Sequence, residues 1–249
     1  MSRSKPTLSA VQNRLLAKLR RADDERLIAH LEPVDLSVGD VVYDRDQPQR
    51  YLYFPTSSVV SLVYTMQDGS TGAMGLVGKD GVVGIALFMG GGTQPNRALV
   101  QIAGGALRME AKALRAELKR RGLLQLLLLR YTQALLTQVS QTAVCNCLHP
   151  VEQRLCRCLL LCDDRVKFRE LALTQAVLAG MLGVRREAVT AAARKLQAAK
   201  LIRYRRGRLF VLDRCGLENR VCECYQVIKR ETERLLGEST ASTMTLMQL

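Results

Sequence analysis

The segment formed by residues 173–212 restricts the fold of this chain more than any other feature of its sequence. It contains two helical patterns separated by one glycine, Gly183, followed by two short strand patterns around Gly207. Apolar residues recur at helical spacing on both sides of the first glycine: Leu178, Met181 and Leu182 before it, and Val189, Ala192, Ala193 and Leu196 after it. Two short helices joined by a tight glycine-containing turn form a helix-turn-helix, and a following hairpin makes it a winged one.

Capping signals mark the ends of both predicted helices. Thr174 is placed to cap the first helix, because a threonine hydroxyl accepts a hydrogen bond from a free backbone N–H. Gly183 can end that helix in the left-handed conformation, which glycine adopts at little cost. The second helix is therefore predicted from Arg185 to about Ala199, and the small Ala179 lies where the two helices cross.

Positive charge is concentrated in this segment. The chain has 37 lysine and arginine residues against 23 aspartate and glutamate residues, a formal net charge of +14. Nine of the basic residues and one acidic residue, Glu187, lie between Arg185 and Arg208, so this stretch supplies more than half of the net charge. A solvated helix face usually mixes both signs. The excess therefore indicates a polyanionic partner, and together with the motif it predicts double-stranded DNA.

The geometry of a winged helix-turn-helix assigns roles to individual side chains. Arg186 and Glu187 would enter the major groove, where arginine binds guanine and glutamate accepts a hydrogen bond from cytosine. Thr190 and Arg194 follow on the same helix face, and the arginines of the wing would bind phosphates. The predicted DNA-binding residues are Thr174, Gln175, Arg185, Arg186, Glu187, Thr190, Arg194, Arg205, Arg206 and Arg208.

Between residues 33 and 110 the apolar period changes from helical to two. Short strand patterns occur at residues 41–43, 51–54, 59–66, 99–102 and 106–109, separated by glycine-containing turn signals. Asp68-Gly69 is typical of a two-residue hairpin turn. Many short strands with such turns predict an antiparallel, jelly-roll-like β-roll. Residues 11–31 precede it and show one or two short helical patterns, with apolar positions Leu15, Leu16, Leu19, Leu27 and Leu31.

A long helix is predicted from residue 123 to about residue 148, after a short basic helix at residues 111–121. His149-Pro150 ends it, because the residue before a proline avoids the helical conformation. A row of residues in steps of four and three along it predicts a dimer contact: Leu124, Leu128, Tyr131, Leu135, Gln138, Thr142 and Cys145. The alternative is a helix that lies on its own sheet. Because Leu126, Leu127 and Leu129 widen the apolar surface, both arrangements can hold together.

In domain order and motif, residues 13–236 resemble the Crp/Fnr superfamily of bacterial transcription regulators. The similarity is greatest in Thr174-Gln175 and in residues 182–189, where the Arg-Glu pair that opens the family's recognition helix falls on Arg186 and Glu187. This chain has Ala191 where a second base-contacting arginine is common. The resemblance implies an α+β protein with an N-terminal cyclic-nucleotide-binding-like β-roll, a long dimerisation helix and a C-terminal winged helix-turn-helix.

The predicted effector pocket departs from the pattern of the family members that bind cyclic nucleotides. Those members have a Gly-Glu pair and later an Arg-Ser/Thr-Ala motif. The glutamate binds the ribose hydroxyl and the arginine binds the cyclic phosphate. The corresponding residues here are Gly84, Ile85, Asn96, Arg97 and Ala98. Because isoleucine cannot accept a hydrogen bond, the pocket is degenerate, and we expect an unknown small-molecule effector rather than a cyclic nucleotide.

The eight cysteines are expected to be thiols, most of them buried as small apolar residues. Cys-x-Cys in a helix directs its thiols to opposite sides, and of these residues Cys158 and Cys162 share a helix face. The family's iron-sulfur members have an N-terminal cysteine cluster, whereas the first cysteine here is Cys145. We therefore expect no metal and no cofactor. A cysteine-based redox or metal sensor of the same architecture is the alternative, because Cys156 and Cys158 flank Arg157 and a nearby cation lowers a thiol pKa.

The remaining features complete the prediction. The two histidines, His30 and His149, are far apart in sequence and are expected to be structural, and no arrangement of catalytic groups indicates an enzyme. The longest apolar run, residues 123–129, is too short to span a bilayer, and the N-terminus does not resemble a secretory signal. We expect a cytoplasmic, bacterial homodimer without membrane contact, and RNA polymerase as a further partner. The predicted units are a β-roll (11–122), a dimerisation helix (123–149), a DNA-binding domain (150–236) and a disordered tail (237–249).

Overall fold

The computed structural model describes residues 12–19, 26–166, 170–205 and 207–237. Its N-terminal half is built from seven antiparallel strands: β1 (Leu31–Leu36), β2 (Val41–Tyr43), β3 (Tyr51–Pro55), β4 (Val59–Thr65), β5 (Thr71–Val77), β6 (Arg97–Ile102) and β7 (Gly104–Glu110). They form one sheet in the order β1-β7-β3 and a second in the order β2-β6-β4-β5. The predicted antiparallel β-roll is confirmed.

Two local predictions in this half are wrong. Leu31 begins β1, where it pairs with Met109, instead of ending a helix. The turn between β4 and β5 has three residues rather than two, because the backbone N–H of Met66 donates to the carbonyl of Ser70 across Gln67-Asp68-Gly69. Gly69 adopts a φ of +81° there, a conformation that favours glycine.

Three helices accompany the β-roll. Helix α1 (Ala86–Met89) lies between β5 and β6, and α2 (Ala111–Leu118) and α3 (Leu123–Leu148) follow β7. The two sheets bury an apolar core that includes Leu52, Phe54 and Met109, and α3 closes it with Leu127 and Leu128. The bounds of α3 agree with the prediction. Because all of its faces are rich in leucine, the sequence pattern does not indicate which one faces the core.

The predicted dimer row of α3 is buried within the chain itself, so it is not available to a partner. All seven residues of the row are buried: Leu124, Leu128, Tyr131, Leu135, Gln138, Thr142 and Cys145. The side-chain amide of Gln138 donates to the carbonyl of Leu76 at 3.1 Å and accepts from its N–H at 3.2 Å, which extends the hydrogen bonding of β5. The exposed apolar residues of α3 lie outside this row and are Leu129, Leu136, Val144 and Leu148.

The C-terminal half contains five further helices: α4 (Val151–Asp163), α5 (Gln175–Leu182), α6 (Arg186–Ala198), α7 (Arg214–Arg220) and α8 (Cys224–Leu236). A small sheet in the order β8-β10-β9 lies among them and consists of β8 (Glu170–Leu171), β9 (Ile202–Arg205) and β10 (Arg208–Val211). Their shared core also takes in Val59 and Ile102 of the β-roll, and α8 packs along α3. In the described parts of the chain, every helix is too short or too polar for a bilayer crossing.

Candidate nucleic-acid interface

The helix-turn-helix forms as its local signals predict. The hydroxyl of Thr174 accepts a hydrogen bond from the N–H of Val177 at 3.1 Å and caps α5. Gly183 ends that helix with φ +60° and ψ +43°, in the left-handed region. Arg185 is extended and precedes α6. The apolar faces of both helices are buried against each other and α4, and they leave the opposite side of α6 in solvent.

A buried arginine forms a hydrogen bond to the turn between α5 and α6. The guanidinium of Arg154 in α4 donates a hydrogen bond to the carbonyl of Leu182, the last residue of α5. A charged donor at this position satisfies a carbonyl that the end of the helix leaves without a partner. Sequence reasoning missed Arg154, because an arginine in an amphipathic helix is usually exposed. In this position it connects α4 to the end of α5.

The first turn of α6 presents its charged groups to solvent. Arg185, Arg186, Glu187 and Arg194 are all exposed, as predicted for a nucleic-acid surface. Among the residues that the structure describes, no carboxylate forms an ion pair with these three arginines. By contrast, Lys195 on another side of α6 pairs with Glu152 at 3.7 Å. The uncompensated charge is therefore confined to the beginning of the helix and the face that continues from it.

Two other predicted DNA-binding residues contact each other. The hydroxyl of Thr190 lies 2.8 Å from the side-chain oxygen of Gln175 and 3.0 Å from the carbonyl of Arg186. Both side chains are half-buried. They connect the first turn of α5 to α6, so in this state they hold the two helices together at the edge of the charged surface.

The wing consists of β9 and β10. Its predicted phosphate-binding arginines differ in their surroundings. Arg205 is exposed, whereas Arg206 lies outside the described residues. Arg208 is exposed and forms an ion pair with Glu170 of β8, so its predicted phosphate contact would compete with this carboxylate. Tyr204 fixes the wing, because its hydroxyl donates to the carbonyl of Leu173 at 2.7 Å and its N–H donates to the side chain of Gln197 at 2.8 Å.

The helix-turn-helix also touches the β-roll. A methyl group on Gly180 of α5 would lie 3.2 Å from the hydroxyl of Thr71 in β5, so the two elements approach closely. A groove between them is lined by Tyr64 and Met66 on one side and Arg185 on the other. The β4–β5 hairpin therefore lies next to the start of α6.

The five predicted pocket residues occupy the region between α1 and β6, where paired groups replace the expected ligands. Arg97 forms an ion pair with Asp44, with 2.9 Å between Nη2 and Oδ2. Asn96 is buried, and the hydroxyl of Tyr43 donates to Gln94 at 2.6 Å and lies 3.4 Å from the oxygen of Asn96. Burial raises the pKa of Tyr43 above its ordinary value.

The other pocket positions are structural. Gly84 has a φ of +111°, and a methyl group on it would lie 3.0 Å from the carbonyl of Tyr51. Ile85 precedes α1 and packs against the apolar core, and Ala98 is buried in β6. None of these three residues has a hydrogen-bonding side chain for a ligand.

The structure brings the second histidine and several cysteines together. His149 lies close to Cys145, Cys222 and Cys224, so it is not isolated from other metal-ligating groups. Burial raises the pKa of Cys156 to about 12, whereas a hydrogen bond from Cys162 and the charge of Arg157 lower the pKa of Cys158. A hydrogen bond from Cys222 and the charge of Arg157 also lower the pKa of Cys145 to about 5.

Comparison with protein families assigns the C-terminal part of the chain. Residues 153–220, which run from α4 through the wing to α7, match the Crp-like helix-turn-helix domain. This range includes every element that positions the exposed arginines. No match was found among curated protein sequences.

Several solved structures share the fold over about three quarters of this chain. FixK2 from Bradyrhizobium japonicum superposes with a TM-score of 0.67 at 17% identity and covers 77% of this chain and 98% of that one. TTHB099, a CRP-family transcriptional regulator from Thermus thermophilus, gives a TM-score of 0.62 at 19% identity, with 75% and 95% covered. CLP, a c-di-GMP-responsive global regulator from Xanthomonas campestris, gives 0.59 at 20% identity, with 77% and 99% covered.

These matches agree with the elements described above: a β-roll of two antiparallel sheets, one long helix and a winged helix-turn-helix. Residues 153–220 therefore match the Crp-like helix-turn-helix domain, and the chain has a fold similar to that of these solved transcription regulators.

Proposed function

We propose that this protein is a transcription regulator that binds a two-fold symmetric DNA operator as a homodimer. One observation carries the proposal. The arginines at the start of α6 are exposed and have no carboxylate partner among the described residues, while the rest of the helix-turn-helix is packed and capped. Folding alone does not require such a set of like charges, because charges on a solvated surface are usually mixed in sign.

The exposed side chains have the chemistry for reading DNA. Arg186 can donate two hydrogen bonds to a guanine in the major groove, and the adjacent Glu187 can accept one from a cytosine. The exposed Arg185 and Arg205 would bind phosphates, which would fix the register of the helix without reading sequence. The N–H groups in the first turn of α6 add a further attraction for phosphate.

The homodimer is proposed to form through the outer face of α3. Leu129 and Leu136 are seven residues apart on that face and remain exposed, and Val144 and Leu148 continue the apolar surface toward the end of the helix. A long helix with such a row commonly pairs with a second copy. A parallel pair of α3 helices would place the two α6 helices for successive major grooves, about 34 Å apart.

The β-roll is proposed to receive a small-molecule effector other than a cyclic nucleotide. The ion pair between Arg97 and Asp44 and the apolar side chain of Ile85 both argue against the cyclic nucleotide. The contact between α5 and β5 provides a route by which a change in the β-roll can reach α6. This contact would transmit such a change whichever small molecule binds the β-roll.

Selection from random double-stranded DNA with the purified full chain tests the proposed function. We expect enrichment of a palindrome whose half-sites contain guanine-cytosine steps and whose centres are about one helical turn apart. Light scattering on the complex should give two chains for each duplex. Recovery of unrelated sequences with no shared element, or one chain per selected site, would contradict the proposal.

A further inference from the structure

Four metal-ligating side chains from distant parts of the sequence meet at the C-terminal end of α3. Cys145 lies in the last turn of that helix and His149 follows its end, whereas Cys222 and Cys224 lie at the turn that leads into α8. The Sγ atoms of Cys145 and Cys222 are 3.5 Å apart, and the Sγ of Cys224 is 3.6 Å from Nδ1 of His149. All four ligand atoms lie within 4.8 Å of one another.

We propose that Cys145, His149, Cys222 and Cys224 bind one Zn²⁺ ion. Three thiolates and one imidazole are a common tetrahedral set for structural zinc. With Zn–S distances of about 2.3 Å and a Zn–N distance of about 2.0 Å, ligand atoms of a tetrahedral site lie roughly 3.5–3.8 Å apart. The two distances given above fall close to this range, so small side-chain movements would complete the site.

The backbone around the cluster explains why these thiols can converge. Cys145 and His149 are four residues apart at the end of one helix, so they project from the same face. Cys222 precedes α8 and Cys224 is its first residue. The two therefore do not have the opposed orientation that Cys-x-Cys takes inside a helix, and both thiols are buried toward α3.

An acidic neighbour orients the histidine. Nε2 of His149 lies 3.4 Å from a carboxylate oxygen of Glu223, while Nδ1 faces the thiol of Cys224. A histidine that binds a metal through one nitrogen commonly donates the other N–H to a carboxylate, which fixes the ring and the tautomer. Glu223 itself is exposed and is placed outside the four ligands.

A buried cation balances the charge of the proposed site. Three thiolates and a neutral imidazole around Zn²⁺ carry a net charge of −1. Arg157, with 5% of its surface exposed, lies beside Cys145 and donates a hydrogen bond to Thr142 at 3.0 Å. Across the described ranges, no carboxylate forms an ion pair with Arg157. A buried guanidinium without a carboxylate is costly unless another negative group compensates for it, and the metal-thiolate site would be that group.

The alternative explanation is that the cysteines of the cluster are buried only as small apolar side chains, and it does not explain the histidine and the carboxylate found there. Cys156 and Cys162 of α4 are buried among leucines and belong to the apolar core of the C-terminal half. The cluster at the end of α3 instead includes an oriented histidine and a carboxylate. A zinc ion there would join the end of α3 to the α7–α8 turn, and would thereby connect the long helix to the half that contains α6.

Metal content is the first test. The full chain is purified anaerobically in a thiol reductant, and bound metals are measured for the wild type, Cys222→Ser and His149→Ala. Cys147→Ser and Cys215→Ser are matched controls, because both thiols are exposed and outside the cluster. We expect about one Zn²⁺ per chain in the wild type and both controls, and a loss of most of it in the two cluster variants.

A cobalt titration of the chelator-treated wild type gives a second readout that does not depend on any variant folding. We expect the intense visible bands of tetrahedral Co²⁺ and a thiolate-to-metal charge-transfer band, saturating at about one ion per chain. The weak spectrum of six-coordinate Co²⁺, equal metal content in Cys222→Ser and Cys215→Ser, or a Cys145–Cys222 disulfide in the anaerobic protein would each overturn the proposal. None of these measurements uses DNA, so their outcome is separate from that of the proposed function.

Discussion

The β-roll pocket and the surface of α6 both carry residues that the sequence assigns to ligand binding, but their charged groups differ in where they find partners. Arg97 of the pocket is paired with Asp44, and the polar side chains beside it bond to one another. Arg185, Arg186 and Arg194 are exposed without such partners in the described structure. A sequence motif alone does not distinguish the two regions. The hydrogen-bond and ion-pair partners of their polar side chains do.

The two faces of α3 show the same division for apolar groups. One face is buried on the β-roll and α8, and the other leaves Leu129 and Leu136 in solvent. The buried face is part of the fold of the single chain, and the exposed face is available to a second copy. Substitutions on the buried face should therefore change the stability of the single chain, whereas substitutions on the exposed face should change assembly.

The largest expected effect is on the buried face of α3. Leu128→Ala should lower the free energy of unfolding by about 2–5 kcal/mol, because it leaves a cavity in a fully packed core. Leu136→Ala, at a position 60% exposed, should cost under about 1 kcal/mol at protein concentrations where the chain is monomeric. Denaturant unfolding measures both. Equal costs for the two variants would contradict the assignment of the faces.

The outer face of α3 should instead control assembly. Leu129→Glu combined with Leu136→Glu places charge in the proposed dimer contact, so light scattering should show monomers. Operator affinity should then fall by about 10²-fold or more, since two half-sites no longer bind together.

Met89→Glu is the matched control for this change, because Met89 is an exposed apolar residue on α1, away from α3. It should leave both the mass and the affinity unchanged. A double variant of α3 that remains dimeric would show that the dimer forms elsewhere or not at all.

A smaller effect is expected at the turn between α5 and α6. Gly183→Ala should lower the free energy of unfolding by about 1 kcal/mol, because alanine is strained at a φ of +60°. Among the residues that the structure describes, no atom other than those of its chain neighbours lies closer than 3.8 Å to the added methyl group, so the cost reports backbone conformation rather than a clash. An unchanged or increased stability would mean that the turn does not require the left-handed conformation.

The smallest effect is expected in the pocket. Arg97→Ala breaks a half-exposed ion pair with Asp44, and such pairs contribute about 0–1 kcal/mol. Calorimetry with cAMP should show no binding to the wild type or to the variant. Tight binding of cAMP by the wild type that Arg97→Ala abolishes would restore the pocket to a phosphate-binding role.

Much of the fold could be predicted from the sequence, because its signals are local. Gly122 and Pro150 bound an apolar stretch and thereby define α3, and Thr174 and Gly183 define the ends of α5. Strand periodicity likewise located most of the β-roll. These signals depend on a few neighbouring residues and on the conformations that glycine, proline and threonine allow.

Features that depend on tertiary packing could not be predicted in this way. Both faces of α3 are apolar, so the pattern did not show that Gln138 bonds to β5 instead of a partner chain. Arg154 is used as a buried cap for Leu182, which amphipathic spacing does not indicate. Cys145 and Cys222 are 77 residues apart, and only the return of α8 along α3 brings them together. A Cys-x3-His pattern followed by a Cys-x-Cys pattern was the available signal.

The role of the exposed arginines is tested most directly by Arg186→Ala, with Arg50→Ala as a control that removes the same charge from an exposed position on the β-roll. Fluorescence anisotropy on the selected operator and on random duplex of equal length measures both variants at fixed salt. Arg186→Ala should weaken operator binding by about 1–3 kcal/mol, roughly 5- to 160-fold, with little change on random DNA. Arg50→Ala should leave both affinities unchanged. An equal loss on both duplexes for Arg186→Ala, or equal losses for the two variants, would contradict base reading by α6.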